Sequence, residues 1–125
     1  MRTILLVDDN SDIVTLLQMI LKQQGYQVIT GRNGQEGMRL LERSEPKPDL
    51  IISNYYMPHM NGLVFLEQVR RQPQYEHIPF IMLSAAAGTQ WQEQATDLGA
   101  NGFLPKPFKI DLLKNTLSTI PNLCN

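Results

Sequence analysis

Thr3-Ile4-Leu5-Leu6-Val7 runs without a break into Asp8-Asp9, and this stretch settles the architecture. An apolar run with almost no polar face suits a strand covered by other elements on both sides. The same kind of segment recurs at Tyr26-Gln27-Val28-Ile29-Thr30 and at Leu50-Ile51-Ile52-Ser53. It appears again at Pro79-Phe80-Ile81-Met82-Leu83-Ser84, and in short form at Gly102-Phe103-Leu104, closed by Pro105.

Helix-like spacing fills the intervals. Ile13, Leu16, Leu17, Ile20 and Leu21 recur with a period of 3.6, with Asn10, Ser11 or Asp12 as cap and Gly25 as stop. Met38, Leu40 and Leu41 mark a second helix after Gly34, and Leu63, Phe65, Leu66 and Val69 a third that ends before Pro73. Trp91, Ala95 and Leu98 mark a fourth with Gly99 at its end; Ile110, Leu112, Leu113 and Leu117 mark a fifth ended by Pro121. Five strand–helix repeats predict a mostly parallel sheet with helices on both faces. Glu45-Pro46-Lys47-Pro48 reads as a loop inside the domain, and Gly31 to Gly37 as a flexible lead into the second helix.

The chain has 125 residues, 42% of them hydrophobic, and a formal charge of −1. That supports one domain over 1–125, with a folded part of about 3–120. A near-neutral balance argues against direct nucleic-acid binding. No apolar run approaches the roughly 18 residues of a membrane span. The start, Met1-Arg2-Thr3, lacks the order of a secretion signal, and the single cysteine, Cys124, excludes an internal disulfide. A cytoplasmic location is expected.

In open α/β sheets ligands bind beyond the carboxyl ends of the strands. The first strand ends at Asp8-Asp9, the third at Ser53-Asn54, the fourth at Ser84-Ala85, and the fifth leads to Lys106-Pro107. Oxygen donors of this kind suit Mg²⁺, and a hydroxyl with a lysine suits phosphoryl oxygens. Singly, each residue has a plainer reading: a helix cap, a turn, a solvated charge. Their joint placement on one rim singles them out.

These residues resemble the receiver domains of two-component response regulators. The resemblance spans the chain and rests on Leu6-Val7-Asp8-Asp9-Asn10, Pro48-Asp49-Leu50-Ile51-Ile52-Ser53, Met57-Pro58-His59-Met60-Asn61-Gly62, Met82-Leu83-Ser84-Ala85, Gly99-Ala100-Asn101-Gly102-Phe103 and Lys106-Pro107-Phe108. It implies a flavodoxin-like three-layer α/β sandwich, five parallel strands in the order 2-1-3-4-5 with five helices. It implies that Asp8, Asp9 and the Tyr56 backbone carbonyl hold Mg²⁺. It assigns Ser84 and Lys106 to the phosphoryl group, Phe103 to a switch position, and a cis bond to Lys106-Pro107. The implied partners are a histidine kinase or phosphotransfer protein, and a downstream protein at the face of the fourth helix, fifth strand and fifth helix. A weak homodimer is an alternative assembly, and no conventional enzyme is expected.

One departure matters. The family's phosphoacceptor is an aspartate, and position 54 is Asn54. A carboxamide is a far poorer nucleophile than a carboxylate and cannot give an acyl phosphate. Its oxygen can still coordinate, so weakened Mg²⁺ binding and a more stable domain are expected. Three explanations stand: a natural pseudo-receiver that binds partners without phosphorylation, an introduced Asp→Asn change, or phosphorylation at Ser53. Strand alternation turns Ser53 away from the side that Asn54 faces. Other readings of the fold are weaker: a flavin carrier would be repelled by Asp8-Asp9, and a hydrolase with an Asp nucleophile lacks Asp-x-Asp spacing. Trp91, Ala95 and Leu98 read as core, with Gln90, Gln92, Glu93 and Gln94 outside them. Tyr55, Tyr56 and His59 flank the site, His59 as loop packing, and His77 reads as a surface residue.

Overall fold

The computed structural model describes residues 2–57, 60–85, 88–121 and 123. His59 and Cys124 lie outside the described residues. Strand and helix alternate as expected: β1 (Thr3–Val7), α1 (Ser11–Gln23), β2 (Gln27–Gly31), α2 (Gly34–Arg43), β3 (Leu50–Asn54), α3 (Gly62–Arg71), β4 (Phe80–Ser84), α4 (Gln90–Asp97), β5 (Gly102–Pro105) and α5 (Ile110–Ser118). The strands form one parallel sheet in the order β2-β1-β3-β4-β5, the flavodoxin-like arrangement.

The continuous apolar runs feed two cores. Ile4 and Leu6 of β1 pack with Leu17 and Leu21 of α1 and Leu113 and Leu117 of α5. Leu5 and Val7 pack on the other face with Leu41 of α2, Phe65 and Leu66 of α3, and Trp91 and Ala95 of α4. Period-two alternation therefore serves both layers, and no strand side chain of β1, β3 or β4 is spared for solvent except at the N-terminal edge of β1.

Helix ends follow local chemistry. Asn10, Asn33 and Asn61 each cap a helix with the side-chain oxygen, accepting from the backbone N–H groups of residues 12 and 13, 36 and 64. Gly25 and Gly99 stop α1 and α4 with φ of 93° and 105°. In both the following backbone N–H reaches back five residues, Tyr26 to Leu21 and Ala100 to Ala95, closing a Schellman turn. That turn uses the Tyr26 N–H, so β2 starts one residue later than its apolar run.

Three expectations need correction. Leu16, assigned to the buried face of α1, is 46% exposed. At 3.6 residues per turn it stands about 100° from Leu17, outside the arc that faces the sheet. Ile110 and Leu112 of α5 are likewise exposed, because the sheet covers only Leu113 and Leu117. The glycines leading into α2 serve close packing rather than flexibility. A Cβ on Gly34 would come within 2.6 Å of Met60 Sδ, and one on Gly37 within 2.7 Å of Phe65 Cζ.

Candidate functional site

The order of the strands turns back between β1 and β3, which opens a crevice at their carboxyl ends. Four strand ends supply it. Register aligns Val7 with Ser53, Asn54 with Leu83, and Ser84 with Pro105, so the residues that follow emerge on one rim.

Asp8 lies just past β1 and is 1% exposed. Its carboxylate has two fixed partners: Oδ1 accepts from the Asn10 backbone N–H at 3.0 Å, and Oδ2 meets Lys106 Nζ at 2.8 Å. The Lys106 side chain is itself only 14% exposed. Its backbone N–H donates to the Ser84 carbonyl at the end of β4, and its bond to Pro107 is cis, as expected. Asp9 is exposed beside it. Ser84, the last residue of β4, is buried at the same rim.

Asn54 ends β3 and is 7% exposed. Its Nδ2 donates to the Tyr56 backbone carbonyl at 2.6 Å and, more weakly, to Asp9 Oδ1 at 3.4 Å. Both partners can only accept, so the amide nitrogen and not the oxygen must face them. Gly62 allows the turn that follows, because a Cβ there would collide with the Asn54 carbonyl oxygen. Ser53 is fully buried in the sheet, its hydroxyl donating to the Asn54 carbonyl.

This geometry bears on a metal ion. Asp8, Asp9 and the Tyr56 carbonyl are oxygen donors of the type a hard divalent cation takes. Among the described residues, however, no three His, Cys, Asp or Glu side chains cluster as a metal site. The Asn54 amide presents N–H hydrogens to the other donors. Asn54 as it stands turns N–H and not oxygen toward the place a metal would take, so the expected amide-oxygen ligand is not what it offers. Coordination through Asn54 would require the amide to turn over and give up both hydrogen bonds.

Sequence reasoning missed the aromatic connection away from this rim. The Tyr55 ring lies 5.9 Å from Tyr56 and 6.0 Å from Trp91, and Trp91 meets Phe103 edge-on at 5.6 Å. The Tyr55 hydroxyl also pairs with Gln94 Oε1 at 3.3 Å. Tyr55 therefore ties the end of β3 to α4 and, through Trp91, to β5. Trp91 and Ala95 are buried and His77 is exposed, as expected. A hollow of about 170 Å³ adjoins the acidic pair, lined by Asp8, Asp9, Val14, Thr15, Thr30 and Arg32 among others. A larger one of about 430 Å³, with Arg2, Lys47, Asp49, His77 and Asn101 on its walls, lies at the opposite, amino ends of the strands.

Comparison with known proteins agrees with the geometry. The family model for the response regulator receiver domain matches residues 4–118. A probable chemotaxis protein CheY from Rhizobium etli is 36% identical over 118 residues, covering 94% of this chain and 90% of that protein. The alkaline phosphatase synthesis transcriptional regulatory protein PhoP of Bacillus subtilis is 37% identical over 107 residues, covering 86% of this chain, and there the chain spans only 43% of the relative's length. Among solved structures, the chemotaxis response regulator CheY4 of Vibrio cholerae superposes with a TM-score of 0.88 at 33% identity, covering 96% of this chain and 98% of that one. The receiver domain of the sensor histidine kinase PA1611 from Pseudomonas aeruginosa, described with a magnesium ion coordinated in the active site cleft, gives 0.85 at 30% identity, covering 95% and 96%. Fold, rim and matched span converge: the chain belongs to the response regulator receiver domain family, the signalling switches of two-component systems.

Proposed function

We propose that this chain is a receiver module of a two-component phosphorelay that acts by binding proteins and accepts no phosphoryl group at position 54. The observation that carries the reading is Asn54 itself, at the end of β3, with its amide hydrogen-bonded to Tyr56 and Asp9. Phosphoryl transfer to a receiver needs a carboxylate oxygen to attack phosphorus and keep the product as an acyl phosphate. The carboxamide has no charged oxygen to make that attack. Ser53 is no substitute, because its hydroxyl is buried and donates to the Asn54 carbonyl.

The remaining groups have the roles that membership suggests. Lys106 is the cation for a phosphoryl oxygen, Ser84 the hydroxyl beside it, Asp8 and Asp9 the acidic pair, and Phe103 the switch aromatic. Magnesium binding is weaker than in a receiver with a carboxylate at 54. The chain is one domain, cytoplasmic and not an enzyme, and it makes no direct contact with nucleic acid or membrane. No helix among the described residues is long and apolar enough to cross a membrane. A histidine kinase or phosphotransfer protein would dock at the rim, and a downstream protein or a weakly bound second copy at the α4-β5-α5 face.

Intact mass after incubation with Mg²⁺ and a small phosphodonor tests the reading, with Asn54→Asp in parallel. The parent chain should stay unmodified and Asn54→Asp should gain one phosphoryl group. A phosphoryl adduct on the parent overturns the proposal. A second reading, a natural pseudo-receiver with a degenerate site, is favoured instead if neither form reacts.

A further inference from the structure

The mismatch between Asn54 and a metal site has a positive side. We infer that the Asn54 carboxamide serves as the site's built-in cation substitute, its N–H group bridging the loop after β1 to the loop after β3 and making the rim independent of divalent metal. The inference concerns the resting geometry of the site and does not depend on which partners the chain binds.

Three observations carry it. First, the bridge has a partner at both ends: Nδ2 reaches the Tyr56 carbonyl at 2.6 Å and Asp9 Oδ1 at 3.4 Å. A cation at such a place would face the same acceptors with positive charge; the amide faces them with two partially positive hydrogens. Second, the bridge is shielded. Asn54 is 7% exposed, so water competes poorly for its donors, and turning the amide over would leave a buried carbonyl oxygen against two acceptors. Third, the other carboxylate is already neutralised. Asp8 is held by Lys106 at 2.8 Å, so the acidic pair does not need a metal to relieve its repulsion. Between them a lysine ammonium and an amide answer both carboxylates from within the chain.

One consequence lies at the surface. Tyr56 is 79% exposed while its carbonyl is tied to Asn54. The amide thus sets the backbone that carries this aromatic side chain, at any magnesium concentration.

The test compares the parent chain with Asn54→Asp and Asn54→Ala, each in EDTA and in about 10 mM Mg²⁺, an excess over the protein. The parent should melt at the same temperature in both, within about 1 °C. Asn54→Asp should melt lower than the parent in EDTA and recover by about 3 °C or more with Mg²⁺. Asn54→Ala, which has neither donor nor charge, should melt below the parent in both and shift the backbone amide signals of Tyr56 and Met57. In ¹⁵N spectra of the parent, the two Asn54 side-chain N–H signals should be distinct, slow to exchange with water and unmoved by Mg²⁺. A parent that gains as much from Mg²⁺ as Asn54→Asp overturns the inference, as does an Asn54→Ala variant as stable as the parent. Phosphorylation is read separately by mass, so failure here and failure of the functional reading are distinguishable.

Discussion

Asp8 is a carboxylate with almost no solvent, and its charge is tolerable because Lys106 sits at 2.8 Å. Removing one partner of such a pair leaves an uncompensated charge, at a cost of about 3 kcal/mol. Lys106→Met is therefore expected to lower the urea midpoint markedly, while Asp8→Asn costs less, because the freed ammonium can swing toward water. Equal losses from the two changes would count against the asymmetry. Arg70 is the second demanding residue. Its guanidinium donates to the Gly99 carbonyl, the Ile78 carbonyl and Asn101 Oδ1, and burial pulls it below its ordinary pKa. A lysine cannot make that fork, so Arg70→Lys should lose about 2 kcal/mol in equilibrium denaturation. The identity of every rim residue was legible in the sequence. The orientation of the Asn54 amide was not, because it depends on acceptors contributed by residues 9 and 56 across two loops.

Among the elements, the ends were more legible than the faces. Gly25 and Gly99 stop their helices as expected, because the left-handed backbone at each allows the Schellman turn. Nothing crowds a side chain at Gly25, so Gly25→Ala isolates the backbone term, about 1 kcal/mol, and Gly25→Asn should lose less. Thermal melts of the two variants check the order. The faces misled where apolar spacing continued past the contact arc. Leu16 and Met19 of α1 are exposed although both are apolar, since the sheet meets only the arc of Leu17, Ile20 and Leu21. Asn33 and Asn61 are caps that apolar spacing does not single out, although each stands directly before its helix with a polar oxygen to offer.

For the whole molecule, the two cores share the same strands. Neighbouring residues of β1 face opposite layers, so neither layer can loosen without disturbing the other. The chain should unfold in one step. The single tryptophan, Trp91, sits in one layer against Tyr55 and Phe103, and far-UV circular dichroism reports helices of both. Emission and dichroism are expected to give superimposable denaturation curves. Separate midpoints would show that the α1/α5 and α2/α3/α4 layers part independently.

Linear order was enough for the alternation of strand and helix, the two-sided sheet and the family resemblance. Those properties reside in period and in residues next to one another: apolar runs, glycine stops, and acids or lysine at strand ends. It was also enough to show that position 54 carries no carboxylate. How that absence is met belongs to the folded chain. Whether Asn54 turns nitrogen or oxygen into the rim depends on acceptors that the fold brings together. The pairing of Asp8 with Lys106 depends on the sheet order that places β1 and β5 on either side of β3 and β4. Periodicity shows that a side chain has a face, and packing decides what that face meets.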